Sequence, residues 1–338
     1  MSPRRLVFIV TALALGALAL LWTGSEAAPA AAGWWDTRWN YRVAIDIGAG
    51  DATRQDKAAD VALNFTELLS GVGEGSRFNP DSIRVVEVDG NAVVDDAVPF
   101  QFDRAADYDP RENAAGTLVI LLKGRTAAGD TRRYHVYFDI VGAFFEKPDF
   151  PVRVSANTIT DAYGYETFRI TNDNGVYHYH KTGGGFASLF DVAEKDWISW
   201  NPAPRGAGDF RGIPNAVHPG DGGYFHPGRN NVDSAITRRG PLKVTIRSTS
   251  ADGLWATQWE IYPDAATMSV LKVAAGKRYW LLYEGTPGGA LDLANDTVTR
   301  SGGGTTTAGT GWSGDLPDEE WAYFSDPALG RSLFAVHH

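Results

Sequence analysis

The chain has no cysteine, only two methionines and no run of basic residues. The first absence excludes disulfides, cysteine-ligated metals and lipid attachment through a thiol. The last removes the electrostatic footprint that phosphate recognition needs, so nucleic acid is not an expected partner. Charges of both signs are scattered over a net charge of −10, which suits a soluble extracellular protein. Long helical periodicity is missing as well. What is present is 11 tryptophans, 13 tyrosines, 38 glycines and 17 prolines, the composition of a turn-rich β protein. Without cross-links such a protein is held by its core alone. A mature length of about 300 residues suffices for that and suggests two domains of ~150 residues each.

The start of the chain reads as an export signal, Met1 to about Ala32. Arg4 and Arg5 are a basic opening, Leu6 to Trp22 is apolar, and Ser25 to Ala32 offers small-x-small cleavage sites ending at Ala28, Ala30 or Ala32. The expected location is secreted, extracellular or periplasmic. The alternative is an uncleaved N-terminal anchor, since the apolar run approaches the ~18 residues of a membrane helix. No other membrane contact is expected.

Residues 33–150 read as a β-sandwich. Tyr41, Val43, Ile45 and Ile47 alternate on one strand face, Ile83 to Val88 is another strand, and Asp89-Gly90-Asn91 is a hairpin turn. Gly116 to Leu122 and Tyr134 to Ile140 continue the pattern, with one helical turn expected near Phe65. Asp107 and Asp109, in the acidic turn Asp103 to Glu112, offer oxygen ligands for calcium but lack helix-loop-helix spacing, so a solvated loop is the alternative. The stretch Trp35-Asp-Thr-Arg-Trp-Asn-Tyr-Arg-Val-Ala-Ile-Asp-Ile resembles the start of the DUF2341-like β-sandwich module of secreted bacterial proteins. That resemblance implies an extracellular glycan context and no chemistry.

Residues 151–338 read as a larger antiparallel domain, complete or C-terminally incomplete. Glu166 to Ile170 and Val176 to His180 flank the tight turn Asn172-Asp-Asn-Gly. Leu254 to Tyr262 and Arg278 to Gly285 alternate as strands, Ser301 to Gly314 is a Gly/Thr-rich loop, and strands are expected at Glu320 to Phe324 and Ser332 to His338. Asn172 to Val176, Gly184 to Asp191 and Asp196 to Trp200 resemble the opening of the supersandwich of galactose-mutarotase-like proteins and polysaccharide lyases. The resemblance implies an antiparallel sheet whose concave face binds sugars. The fold class is therefore all-β: an N-terminal β-sandwich, then a supersandwich-like domain.

Arg211 to Gly228, RGIPNAVHPGDGGYFHPG, is too rich in Gly and Pro for helix or strand and too aromatic for disorder. A shaped, ordered loop is expected, walling a site. The candidate catalytic residues are His218, Tyr224, His226, Arg211, Asn215 and Glu284. Arg and Asn suit neutralising a uronate, and His and Tyr suit proton transfer in a lyase; the resemblance to supersandwich lyases implies those roles. A hydrolase needs two converging carboxylates, for which Glu260, Glu284 and Asp221 are available. An epimerase would pair His with Glu. His178 and His180 share a strand face. With His218 or His226 they would suit zinc or copper, so a divalent metal (Ca, Zn or Cu) is a possible cofactor. The candidate substrate-binding residues are His178, His180, Trp200, Trp280 and Tyr283, with Trp197 beside them, on a stacking platform. The expected partner is an extracellular polysaccharide. Enzyme, non-catalytic glycan-binding module and structural surface protein all remain open.

Overall fold

The computed structural model describes residues 7–13, 33–202, 211–317 and 319–337. Most of the expected export segment lies outside them. The described chain is all-β, and all but one of its strand pairings are antiparallel. It divides into two units, Met1–Val152 with Gly240–Leu242, and Arg153–Arg239 with Lys243–His338.

The first unit is a sandwich of two sheets. One runs in the order β1 (Val7–Leu13), β2 (Tyr41–Gly48), β8 (Thr131–Ile140), β4 (Phe78–Asp89), β5 (Ala92–Asp95). The other is β3 (Arg54–Asn64), β7 (Ala115–Thr126), β6 (Phe100–Arg104). β1 lies parallel to β2. Alternation decides the core. Val43, Ile45 and Ile47 of β2 meet Tyr134, Val136 and Phe138 of β8, and Val61, Leu63, Leu118 and Ile120 close on them from the second sheet. The helix α1 (Phe65–Ser70) starts where the Asn64 side chain accepts from the Thr66 and Glu67 amides. The crowded aromatic start is spent on the other face of the larger sheet. Trp39 is buried there with Val86, Val88 and Tyr137, its indole donating to the Ser82 carbonyl at 2.6 Å.

The second unit contains three four-stranded antiparallel sheets. The first is β12 (Gly185–Asp191), β11 (Gly175–His180), β10 (Glu166–Asn172), β9 (Ser155–Thr160). The second is β13 (Val232–Arg239), β14 (Val244–Ser250), β15 (Ala256–Ile261), β16 (Ala266–Lys272). The core lies between them: Phe168, Ile170, Tyr179 and Phe186 against Val244, Ile246, Trp259 and Ile261. Buried hydroxyls bridge it, Tyr179 to Ser248 and Ser248 to Ser234, each at 2.7 Å. The third sheet is β18 (Thr305–Thr307), β17 (Thr297–Arg300), β19 (Trp321–Asp326), β20 (Arg331–Val336).

Two expectations are corrected here. Arg278 to Gly285 alternates like a strand but joins no sheet; it is an extended segment paired irregularly with a loop. The stretch Ser301 to Gly314 is not wholly loop, because Thr305–Thr307 pairs with β17.

Candidate functional site

The site is built on the loop 211–228 and the extended segment 278–285. The Gly212 amide donates to the Glu284 carbonyl at 2.9 Å and the Glu284 amide to the Gly212 carbonyl at 3.2 Å. Asn215 donates to the Leu282 carbonyl and Trp280 to the Ala216 carbonyl. Pro214 has no amide to give, so the pairing never becomes a regular ladder. The loop carries its own small core: Ala216, Val217 and Phe225 pack with Val232 and Trp255. Phe225 is held at φ 59, a conformation that a bulky residue keeps only where its surroundings fix it.

The far end of the loop is bolted to β11. His180 is fully buried, its Nε2 2.8 Å from Asp161 Oδ2 and its Nδ1 accepting from the Gly228 amide at 2.9 Å. Those two bonds fix the tautomer with the proton on Nε2. Tyr165 stacks on the ring at 4.7 Å, and Trp200 meets it edge-on at 5.0 Å. Burial lowers the His180 pKa, with Asp161 opposing. The fit depends on glycine. A Cβ on Gly185 or Gly212 would strike Pro227, and one on Gly228 would strike the Trp200 ring. The loop backbone thus lies directly on the strand it crosses.

The middle of the loop is open. His218 is exposed and caps the short turn Pro219–Asp221, its Nδ1 accepting from the Gly220 amide at 3.0 Å. In the neutral ring, Nε2–H is left as a donor. The Trp280 ring lies 4.9 Å away at 51°, and Trp280 is 43% exposed. Asp221 is ion-paired with Lys277. Tyr224 donates to Asp252 at 3.1 Å.

The other expected residues scatter by role. His226 is buried, with Nδ1 2.6 Å from the Pro227 carbonyl. His178 is half-buried and edge-on to Phe190, its pKa lowered by burial. Asn215 is buried. Trp200 and Trp197 are buried rather than displayed. The Tyr283 hydroxyl donates to the Trp197 carbonyl, and its ring packs on Phe324. Arg211 is half-buried and donates to the Ser199 carbonyl at 3.3 Å. Its charge reaches Glu284, whose pKa is nonetheless raised, chiefly by desolvation. Glu260 is occupied by Lys243 at 3.1 Å, and Asp221 by Lys277, so of the three carboxylates considered for hydrolysis Glu284 alone is in no ion pair among the described residues.

In the acidic turn of the first unit, Asp109 Oδ1 accepts from the Arg111 and Glu112 amides. Among the described residues no three His, Asp or Glu side chains converge in a metal-ligating group. Asp161, Lys277 and Asp252 were not anticipated. Nothing local marks them, since each meets its partner only through folding. No protein-family model, curated protein or solved structure matches the chain, so its functional reading rests on this geometry.

Proposed function

We propose that this chain is an exported glycan-binding protein whose platform is Trp280 and His218. The observation that carries the reading is an exposed tryptophan beside an exposed histidine on a loop fixed by backbone bonds and its own core. An aromatic face takes the C–H face of a sugar ring, and an imidazole N–H donates to a hydroxyl. A platform already rigid before binding loses little entropy when the sugar docks. The partner is an extracellular polysaccharide, met outside the cell or in the periplasm. The test is retention on immobilised polysaccharides. Trp280→Ala should weaken binding at least ~10-fold with the circular dichroism spectrum unchanged. Unaltered retention would overturn the platform.

A second reading, an enzyme acting on polysaccharide as lyase, hydrolase or epimerase, is favoured by Glu284. A half-buried carboxyl with a raised pKa suits a general acid. Long incubation with acidic and neutral polysaccharides tests it, read at 235 nm for unsaturated uronate and for new reducing ends. Product formed by the native protein and lost in Glu284→Gln would establish this reading, while retention without product leaves the binding function alone. A surface protein with a purely structural role would show neither retention nor product.

A further inference from the structure

The third sheet of the second unit presents alternate faces. Ser332, Phe334 and Val336 of β20 are exposed, while Arg331 and Leu333 turn the other way, toward β11 and β12. Between them lies a cleft of about 300 Å³. The half-buried rings of Tyr177 and Phe190 and the buried Trp197 line it, and Asn174, Asp191 and Arg331 bring polar groups to it. None of these belongs to the loop 211–228 or to the segment carrying Trp280.

Asp191 is firmly set. Its Oδ1 accepts from the Ala193 and Lys195 amides, and its Oδ2 from the Trp197 indole and Arg331 Nη1, the last at 2.8 Å. Desolvation works against its charge, but these donors outweigh it and hold the pKa down at about 2. The carboxylate therefore stays ionised. The Arg331 guanidinium donates one of its five N–H groups to Asp191 and makes no other hydrogen bond among the described residues, so its remaining edge is available.

We propose that this cleft is a second sugar subsite, taking one uncharged pyranose residue of a glycan. The proposal rests on the glycan reading above. The volume is at the lower end of small-molecule pockets, enough for a single ring and not for an oligomer. The partly exposed Tyr177 and Phe190 rings offer apolar surface to the C–H face of the sugar. The free guanidinium edge suits hydroxyls, while the Asn174 side-chain amide already donates to the Asp264 carbonyl at 2.7 Å. A carboxylated sugar is disfavoured, because its charge would meet the Asp191 carboxylate already held against the same guanidinium. Two separated subsites on one chain let a polymer engage both, raising avidity without a larger contact.

The experiment is a two-dimensional NMR titration of the ¹⁵N-labelled protein with cellotetraose, xylotetraose, mannotetraose and, separately, digalacturonate. The Trp197 indole N–H reports the cleft, and the Trp280 indole reports the platform. A saturable shift at Trp197 with a neutral oligomer is expected. It should persist in Trp280→Ala and weaken at least ~10-fold in Arg331→Met. If Arg331→Met does not fold, Leu333→Trp fills the cleft from its rim and leaves the Asp191 pair in place; it should abolish the Trp197 response. A Trp197 signal unmoved by every neutral oligomer, or moved by digalacturonate alone, overturns the subsite. Movement of Trp280 alone leaves the platform standing and removes the cleft, and movement of Trp197 alone does the reverse.

Discussion

His180, on the strand to which the loop's end is bonded, has no exposed surface and commits both ring nitrogens, one to Asp161 and one to the Gly228 amide. His218, near the middle of the same loop, is exposed and commits only Nδ1. The tryptophans divide the same way: Trp200 is buried against His180, and Trp280 is open beside His218. The two regions use the same residue types for opposite ends. What separates them is how much hydrogen-bonding capacity and surface the fold has already consumed. His180, buried with both ring nitrogens bonded, holds the structure together, whereas His218 is exposed with one ring nitrogen uncommitted.

The largest expected effect tests that division directly. Trp200→Ala should cost about 3–5 kcal/mol in urea unfolding, as truncation of a buried aromatic does. Trp280→Ala should cost less than about 1 kcal/mol, as for an exposed side chain. Similar losses at the two positions would break the comparison. Acid sharpens it next. Burial lowers the pKa of His180 below the ordinary value near 6.5, and lowers that of His178 beside it, while His135 in the first unit is pushed down to about 4. Stability is therefore full above about pH 6.5. It falls as pH drops below that value, because the unfolded chain takes up protons that the folded one refuses, and levels off once the folded histidines titrate too. Urea midpoints at pH 7.5 and 5.5 should drop accordingly, and less so in His180→Asn. A midpoint that rises on acidification would contradict the anchoring role. The smallest effect is expected from Tyr224→Phe. Losing one exposed hydrogen bond to Asp252 should change stability by no more than about 1 kcal/mol, measured in the same urea assay. A larger loss would move Tyr224 from the open region to the anchored one.

Much of this fold is legible in the residues. Period-two alternation marks β2 and β15, and the Asn172–Gly175 turn marks the β10–β11 hairpin. Alternation fails at Arg278 to Gly285, where the neighbouring chain is a loop containing Pro214 and no ladder can form. The sequence expected a shaped loop from Arg211 to Gly228, and Trp280 and Glu284 lie along that loop. It did not separate His180 from His218, because the separating partner, Asp161, is 19 residues away and is joined to His180 only by the folded sheet. Nor did it show that Trp197 and Trp200 face inward. Residue type sets what a side chain can do, and burial, which depends on distant segments, sets which of those things it does.

The glycine seats under Pro227 and beneath Trp200 have a consequence for how the protein can change. The contacts that hold the loop are made by backbone and by a few fixed residues at its margins, while the turn around Pro219–Asp221 projects beyond them. Substitutions at the seats are paid for in the frame; substitutions at the exposed tip positions that carry no cap or ion pair alter mainly what is displayed. On the proposed binding role, specificity can change by exchange of a handful of tip residues, with the scaffold beneath inherited intact.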